Sequence, residues 1–256
     1  MTYSYTKTKI KDVLSQANVI GLIYNSGANI RKGYPHRSLF SIPFVGLNDE
    51  GIPQVINEKG EVTTTDINFQ EYQNLGFLKY EGPTEPTMNG GLNNTLRYKN
   101  WRLNIFVTYS FGNKLRLDPS FSASYSDMSA MPKEFKNRWV MPGDEKITTI
   151  PAIASVRQYY NDTQLGFAYN SYNYSTARVA DGGFIRLKDV SLTYDVPRSF
   201  LSKIGLSTAA IKLDATNLCL LYADDKLNGQ DPEFVNSGGV ATPLSKQFTL
   251  TVRLGL

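Results

Sequence analysis

Apolar and polar residues alternate in five stretches of the chain. In the stretch FTLTVRLGL (248–256), apolar residues occupy every second position and threonine, arginine or glycine stands between them. Successive side chains of a strand point to opposite faces, so this pattern predicts a strand with one apolar and one polar face. The same alternation occurs in GLNNTLRY (91–98), WRLNIFVTYSF (101–111), DVSLTYDV (189–196) and IKLDAT (211–216).

The clearest predicted element is a hairpin formed by the stretches 91–98 and 101–111. Lys99 and Asn100 separate the two stretches, which is the length of a tight hairpin turn. The apolar face of the second stretch begins at Trp101 and ends at Phe111. Aromatic residues at both ends of an apolar strand face are typical of strands that cross a membrane.

The links between the five predicted strands alternate in length. Two residues join the first pair, a long segment (112–183) precedes the third, a short link (197–208) follows it, and a longer segment (222–246) precedes the last. Short turns on one side and long extracellular loops on the other are typical of outer-membrane barrels. A soluble β-sandwich, which would bury the same apolar faces in a core, has short links throughout and stays as the alternative.

The first ninety residues are less regular. The segments 2–10 and 38–47 predict strands, whereas 48–62 is rich in turn residues. We expect seven to nine strands in all, without fixing their order in this part of the chain.

Composition narrows the function classes. Tyrosine and phenylalanine are abundant, with sixteen and thirteen residues, which suits strands and membrane interfaces. A mean hydropathy of −0.31 fits a barrel with a polar interior as well as a soluble protein. The net charge of +4 is spread thinly, so nucleic-acid binding is not expected. No apolar run is long enough for a transmembrane helix, and the first residues do not resemble a signal peptide.

Few residues offer chemistry. The chain has one cysteine, Cys219, and one histidine, His36, so it can form no internal disulfide and offers little for a nucleophilic site. We therefore predict no catalytic residue, no cofactor and no metal site. The acidic segment YADDKLNGQDPEF (222–234) is predicted to be a solvated loop, with calcium binding left open because its spacing fits no EF-hand.

The two long segments supply the candidate contact residues. Aromatic residues are frequent in 112–183. They could stack on sugar rings or bind a partner protein, or they could pack the segment against itself. We predict substrate or partner contacts for a set drawn from both segments: Trp139, Tyr159, Tyr160, Tyr172, Asp231 and Glu233.

Four segments together resemble SusC-like (RagA-like) TonB-dependent transporters. They are RKGYPHRSLF (31–40), the segment 81–117 with its Gly-Gly and its "YKN" hairpin, DGGFIRLKDVSLTYDVPRSFLSKIGL (181–206), and IKLDATNLCLLYADDKLNGQDPEF (211–234). They follow the order of that family from about residue 31 onwards. The sequence departs from the family pattern at Leu256, where the family usually has phenylalanine.

The resemblance implies an outer-membrane barrel of about 22 strands with a plug domain inside it. It also implies import of an oligosaccharide or peptide substrate, a SusD-like surface lipoprotein as a lid, and energy from the TonB complex acting on the plug. The signal peptide and plug have no counterpart here, so we expect residues 1–256 to be the C-terminal part of the barrel. Its remaining strands would then come from the same or another chain.

The fold class predicted is therefore all-β: an antiparallel transmembrane β-barrel segment with long extracellular loops, in contact with outer-membrane lipid. Two alternatives remain at this stage. One is a soluble carbohydrate-binding β-sandwich, and the other is a small self-closed outer-membrane barrel with hydrolase activity. An open wall would leave backbone groups unpaired in lipid, where each costs several kcal/mol, so missing strands or self-closure is required.

Overall fold

The computed structural model describes residues 1–14, 17–24, 30–125, 128, 131–202, 205–235 and 244–255. The strands are β1 Thr2–Tyr5, β2 Ser38–Ser41, β3 Phe44–Leu47, β4 Pro53–Ile56, β5 Val62–Thr63, β6 Lys79–Pro83, β7 Met88–Tyr98, β8 Trp101–Phe111, β9 Lys114–Arg116, β10 Val179–Asp181, β11 Phe184–Asp195, β12 Thr208–Tyr222 and β13 Gln247–Gly255. The α-helices are α1 Val19–Tyr24, α2 Val156–Asn161, α3 Leu165–Asn173 and α4 Arg198–Leu201. Short 3-10 helices cover Lys133–Asn137, Asp144–Lys146, Thr176–Arg178 and Asp225–Leu227.

Six strands form one antiparallel sheet, here called the main sheet, in the order β1-β7-β8-β11-β12-β13. It contains all five predicted strands. The predicted hairpin is confirmed: Tyr98 pairs with Trp101, and Lys99 adopts a left-handed backbone (φ 52°) in the turn. The strands β7, β8, β11 and β12 are 11 to 15 residues long, which suits the thickness of a bilayer.

The links leave the main sheet as the alternation in length predicted. Met88, Phe111, Phe184 and Tyr222 lie at one end of the sheet, where the long segments begin or end. The two-residue turn and the link that contains α4 lie at the other end. Short turns therefore occupy one end of the sheet and long segments the other, as in outer-membrane barrels.

One face of the main sheet is apolar, and it is exposed. Cross-strand pairing aligns its residues into rows, such as Leu96, Leu103, Leu192, Leu213 and Leu250. In that row Leu213 is 56% and Leu250 64% exposed, so this face is not buried against a second sheet. The β-sandwich alternative is therefore wrong, because it requires these side chains in a core.

Aromatic residues border this apolar face at both ends. Trp101 and Tyr194 are cross-strand partners with ring centroids 4.6 Å apart, and Phe111 lies 6.1 Å from Tyr222 at the opposite end. The ten residue steps from Trp101 to Phe111 rise roughly 34 Å, which at a tilt of about 45° spans roughly 24 Å. This height matches the apolar band of an outer-membrane barrel.

The opposite face of the main sheet is polar. Arg102 forms an ion pair with Asp195 (3.2 Å), and Lys212 forms one with Asp214 (3.2 Å). The one aromatic exception in β8, Phe106, lies over Gly91: a Cβ atom at Gly91 would approach the ring to 2.9 Å. The glycine therefore provides the space for this one ring on a polar face.

A β-bulge interrupts the main sheet in β11. The register of β11 against both neighbours shifts between Leu187 and Asp189, and Asn217 in the facing strand has φ 54°. Leu187 pairs with apolar-face residues, whereas Asp189 pairs with Phe106 on the polar face. The extra residue, Lys188, is left out of the pairing. A bulge of this kind redirects a side chain and recurs next to functional sites.

The long segments fold into an ordered structure of their own, here called the cap (the described residues of 17–87, 112–183 and 223–235). The cap contains α1 to α3 and the small sheets β2-β6, β3-β4-β5 and β9-β10. The segment 48–62, expected to be turn-rich, contains strand β4, which pairs with both β3 and β5. The segment 112–183 contains two helices and two short strands.

The hydrophobic core lies in the cap rather than in the main sheet. One buried cluster joins α1 to β2 and β4, a second surrounds α3, and a third lies around Leu115 and Leu227. Helix α3 buries Leu165, Ala168 and Tyr169 on one face, which is helical spacing. The cap thus holds a fixed shape by the packing of its own apolar side chains.

The main sheet does not close on itself. Its edges are β1 and β13, which are not paired with each other. The self-closed small barrel is therefore not the observed arrangement. Six strands form this sheet, against an expectation of seven to nine, because the strands of 38–83 form small sheets in the cap. Among the described residues no helix is long and apolar enough to span a membrane. Leu256, where the family motif departs, lies outside them.

Candidate functional site

Two pockets are lined by predicted contact residues, one by Glu233 and the other by Tyr159. The larger, about 620 Å³, lies at the end of the main sheet beneath the cap and is here called the junction pocket. The smaller, about 450 Å³, lies on the cap and is called the cap groove. Both are concave, ordered and lined by several elements, as ligand sites usually are.

The junction pocket is built where three connections converge on the polar face. Thr84 and Pro86 come from the approach to β7, Gly182 precedes β11, and Glu233 comes from the 222–246 segment. The main sheet supplies Asn89, Thr108, Ser110 and the bulge residue Lys188. The Ser110 hydroxyl donates to Asn89 Oδ1 (2.9 Å), which orients the amide of Asn89.

The cap groove has an aromatic rim and a polar base. It runs between helix α3 and the segment Phe121–Ser124, and Tyr159 and Phe167 form part of its lining. Asn170, Ser122 and Thr163 supply amide and hydroxyl groups. Exposed rings beside hydroxyl and amide groups can stack on and hydrogen-bond a ligand.

The predicted contact residues in 112–183 have different environments. Tyr159 and Tyr160 are exposed, and their rings meet edge to face at 5.8 Å. Trp139 is half-buried: its ring packs against Gly51, and its Nε1 donates to Glu145 (3.2 Å). Tyr172 is only 1% exposed and lies in the core around α3. The cap encloses the ring of Tyr172 in this conformation, and its contact with a substrate or partner stays a prediction.

Asp231 and Glu233 anchor their loop to the main sheet. Arg186 of β11 donates to both carboxylate oxygens of Asp231 (2.6 Å each) and lies 2.8 Å from Glu233 Oε2. The side chains of Arg186 and Asp231 are 5% and 4% exposed. Asp231 is therefore a buried structural partner, whereas Glu233 is partly exposed and also lines the junction pocket.

Two further arginines, which sequence reasoning missed, fasten the cap. Arg116 donates to the carbonyl oxygen of Phe40 (2.5 Å) and to Ser41 Oγ (3.1 Å), and burial lowers its pKa to about 10. Arg178 pairs with Glu134 and lies over the ring of Phe121, 4.9 Å from its centroid. Nothing in the local sequence separates them from solvated arginines, since their partners are distant in the chain.

The residues considered as catalytic or metal-binding groups do not lie together in the structure. His36 lies in the turn before β2, while Cys219 is an exposed residue of β12 that pairs with Leu187 of the apolar face. Among the described residues there is no group of three metal-ligating side chains. Asp224, considered for calcium, instead accepts hydrogen bonds from the backbone of Asp181 (2.7 Å) and Lys226 (2.9 Å).

Curated proteins with detectable similarity are all named as receptors. The chain is 28% identical to TonB-dependent receptor P3 of Formosa agariphila over 178 residues, which is 70% of this chain and 15% of that protein. It is 31% identical to TonB-dependent receptor P26 of the same organism over 159 residues, which is 61% of this chain and 14% of the relative. The chain thus spans about a seventh of each relative. No family model matches it.

Solved structures show the same fold. The RagAB peptide importer in the open-open state superposes with a TM-score of 0.67 at 21% identity, over 99% of this chain and 26% of that one. The RagAB peptide transporter gives 0.62 at 22% identity, over 90% and 24%. Together with the receptor relatives, they confirm the resemblance to a fragment of a SusC-like TonB-dependent transporter and the predicted fold class. The relatives are receptors and transporters rather than enzymes, in agreement with the expected lack of catalysis.

Proposed function

We propose that this chain, a piece of a SusC-like TonB-dependent transporter, forms the C-terminal barrel wall and extracellular cap of an outer-membrane nutrient importer. The apolar face of the main sheet contacts lipid, and the polar face lines the lumen. The exposed apolar face with aromatic residues at both ends supports this most directly. The remaining strands and the plug belong to the rest of the transporter.

The cap has the features of a docking and recognition surface. Its fold is held together by three buried clusters and by the contacts of Arg116 and Arg178. It presents exposed rings at Tyr159 and Tyr160 beside the cap groove. A SusD-like lipoprotein would close over this side, and an oligosaccharide or peptide would pass between the lid and the lumen. The RagAB proteins are described as a peptide transporter and importer, which favours a peptide.

Removal of the cap segment 112–183 tests this function. In the intact transporter, Phe111 and Phe184 are joined by a short Asn-Gly turn in place of 112–183, which preserves the pairing of β8 with β11. We expect the barrel to assemble in the outer membrane, because the main sheet takes none of its pairing from the cap. Substrate uptake and co-purification of the lipoprotein should both be lost. Normal uptake by cells with this deletion would contradict the assignment.

A finer variant tests the exposed rings. Tyr159→Ala combined with Tyr160→Ala removes the ring that lines the cap groove and the ring that packs edge to face against it. The matched control is Tyr72→Ala, which removes an exposed cap tyrosine outside both pockets. If the rings contact substrate or lid, only the double variant should lower uptake or lipoprotein binding, by about tenfold for two stacking contacts.

A further inference from the structure

We infer that the junction pocket is a binding site for a carboxylate group on the transported molecule, with Lys188 as its cationic partner. The inference rests on the proposed function, because it assigns one substrate chemistry to the polar face that the proposed function places in the lumen. It is carried by the position of Lys188, the polar groups around it and the apolar remainder of the pocket.

The β-bulge keeps both Lys188 and Asp189 off the apolar face. Regular alternation would continue from Leu187 on the apolar face through Lys188 on the polar face to Asp189 back on the apolar face. The bulge adds one residue, so Asp189 returns to the polar face beside Phe106 while Lys188 lines the junction pocket. Bulges redirect side chains in this way, at a cost in lost pairing.

The ammonium group of Lys188 has no carboxylate within ion-pair distance among the described residues. This distinguishes it from two neighbouring cationic side chains, since Lys114 pairs with Asp181 (3.0 Å) and Arg186 with Asp231 (2.6 Å). Lys188 is half-buried. A partly desolvated ammonium group without a partner attracts an anion more strongly than one in open solvent.

The neighbouring groups suit a carboxylate that carries a hydrogen-bond donor beside it. Asn113 lines the pocket at 6% exposure, and its Oδ1 accepts no hydrogen bond from the described residues. Asn89 already accepts from Ser110, which leaves its amide N–H groups to donate. A carboxylate with an adjacent N–H or O–H would therefore satisfy Lys188, Asn89 and Asn113 together.

The charged side chains around the junction pocket favour a ligand group with a single negative charge. Asp189 follows Lys188 directly on the polar face, and Glu233, with 42% of its side chain exposed, lines the same pocket. These carboxylates would repel a doubly charged phosphate, for which one lysine offers too little compensation. Pro86, Leu115 and Pro232 supply apolar surface for the part of the ligand next to the carboxylate.

Binding to the purified intact transporter tests the site without requiring energy coupling. The probes are a fluorescent short peptide with a free carboxylate, the same peptide with that group amidated, and an oligosaccharide that contains a uronic acid. We expect Lys188→Met to weaken binding of one or both carboxylate probes about tenfold, as for loss of a charge-assisted hydrogen bond. Lys188→Arg should restore most of the affinity. The probe whose affinity falls in Lys188→Met, the peptide or the uronate, identifies which kind of molecule supplies the carboxylate.

Two controls make the outcome specific. Lys136→Met removes an exposed cap lysine outside the junction pocket and should leave binding unchanged. Asn113→Leu, which removes the buried acceptor at similar volume, should also weaken binding of the carboxylate probes. Equal binding of the free and amidated peptides, with the uronate unaffected by Lys188→Met, would overturn the inference.

The result is separable from the test of transport. If cells import substrate while Lys188→Met leaves binding unchanged, this site is wrong and the transport function stands. If purified protein binds the carboxylate probes through Lys188 but cells import neither, the site stands and transport is contradicted.

Discussion

Tyrosine residues of the cap lie in opposite environments. Tyr160 is 76% exposed, whereas Tyr172, twelve positions later, is 1% exposed. The sequence contained a signal for the second: Leu165, Ala168, Tyr169 and Tyr172 have the spacing of one helix face. Interpreting the segment as a loop removed that signal, because periodicity carries information only once the type of element is known.

The buried tyrosines of the cap predict a loss of stability in alkali. Burial raises the pKa of Tyr169 and Tyr172, and also that of Tyr125 and Tyr174. The folded cap therefore keeps these protons at a pH where the unfolded chain, with tyrosine pKa values near 10, has lost them. Stability contributed by the neutral phenols is complete below about pH 10 and falls above it, by up to about 1.4 kcal/mol per pH unit for each group.

Alkaline titration of the intact transporter checks this expectation. Phenolate absorbance should rise in two phases, and the later phase should coincide with loss of the near-ultraviolet circular dichroism of the cap. Tyr172→Phe should remove one late-titrating group and reduce the later phase. Tyr160→Phe is the control, since that ring lies in water and should leave the later phase unaltered. A single phase near pH 10 with no structural change would show that these rings are accessible.

At the scale of elements, strands were predicted well where one face is apolar and the other polar. β7, β8 and β12 contain their predicted stretches, β11 ends one residue before the end of its stretch, and β13 covers the described residues of its stretch. The agreement arises because strict alternation defines both the strand and its two faces. β4 (PQVI) was missed, since Gly51 and Gly60 bracket it with turn signals and four residues give too little periodicity. The bulge at Lys188 was equally invisible: it exists only relative to the partners of β11.

A buried ion pair joins the cap segment 223–235 to β11 of the main sheet. Asp231→Asn would leave the buried Arg186 guanidinium with only the partly exposed Glu233 as a charged partner, and breaking a buried ion pair costs up to about 3–5 kcal/mol. We expect the segment 223–235 to open from the main sheet while α3 stays folded. Hydrogen exchange of the intact transporter should then speed up for amides of 223–235 and not for those of α3.

An exposed ion pair provides the matched comparison for that variant. Lys59 and Asp66 are 3.0 Å apart with both side chains more than half exposed, so Asp66→Asn should leave hydrogen exchange unaltered throughout the cap. Unchanged exchange in Asp231→Asn as well would mean that apolar packing around Leu227, rather than the ion pair, holds this segment.

At the scale of the whole molecule, the two parts of the chain place their apolar side chains differently. The cap buries its own, as a soluble domain does, while the main sheet exposes an entire apolar face. The division could be predicted in outline from the sequence, because alternation and link length mark the sheet. Which loop residues would be enclosed could not, since the cap assembles from segments more than a hundred residues apart, such as Ile42 and Tyr174.

Cys219 offers a direct probe of the solvent at the apolar face. It is exposed on β12 opposite Leu187, within the row that contains Val107 and Leu92. In an intact transporter with Cys219 as its sole cysteine, reconstituted in bilayers, a spin label at this position should collide frequently with oxygen, which concentrates in lipid. It should collide rarely with a water-soluble nickel chelate. Thr249→Cys in a Cys219→Ser background places the label on the polar face of the adjacent strand β13, and its accessibilities should be reversed. A label at Cys219 that meets the nickel chelate as readily as the one at position 249 would mean that water covers both faces, and the assignment of this sheet to a membrane barrel would be lost.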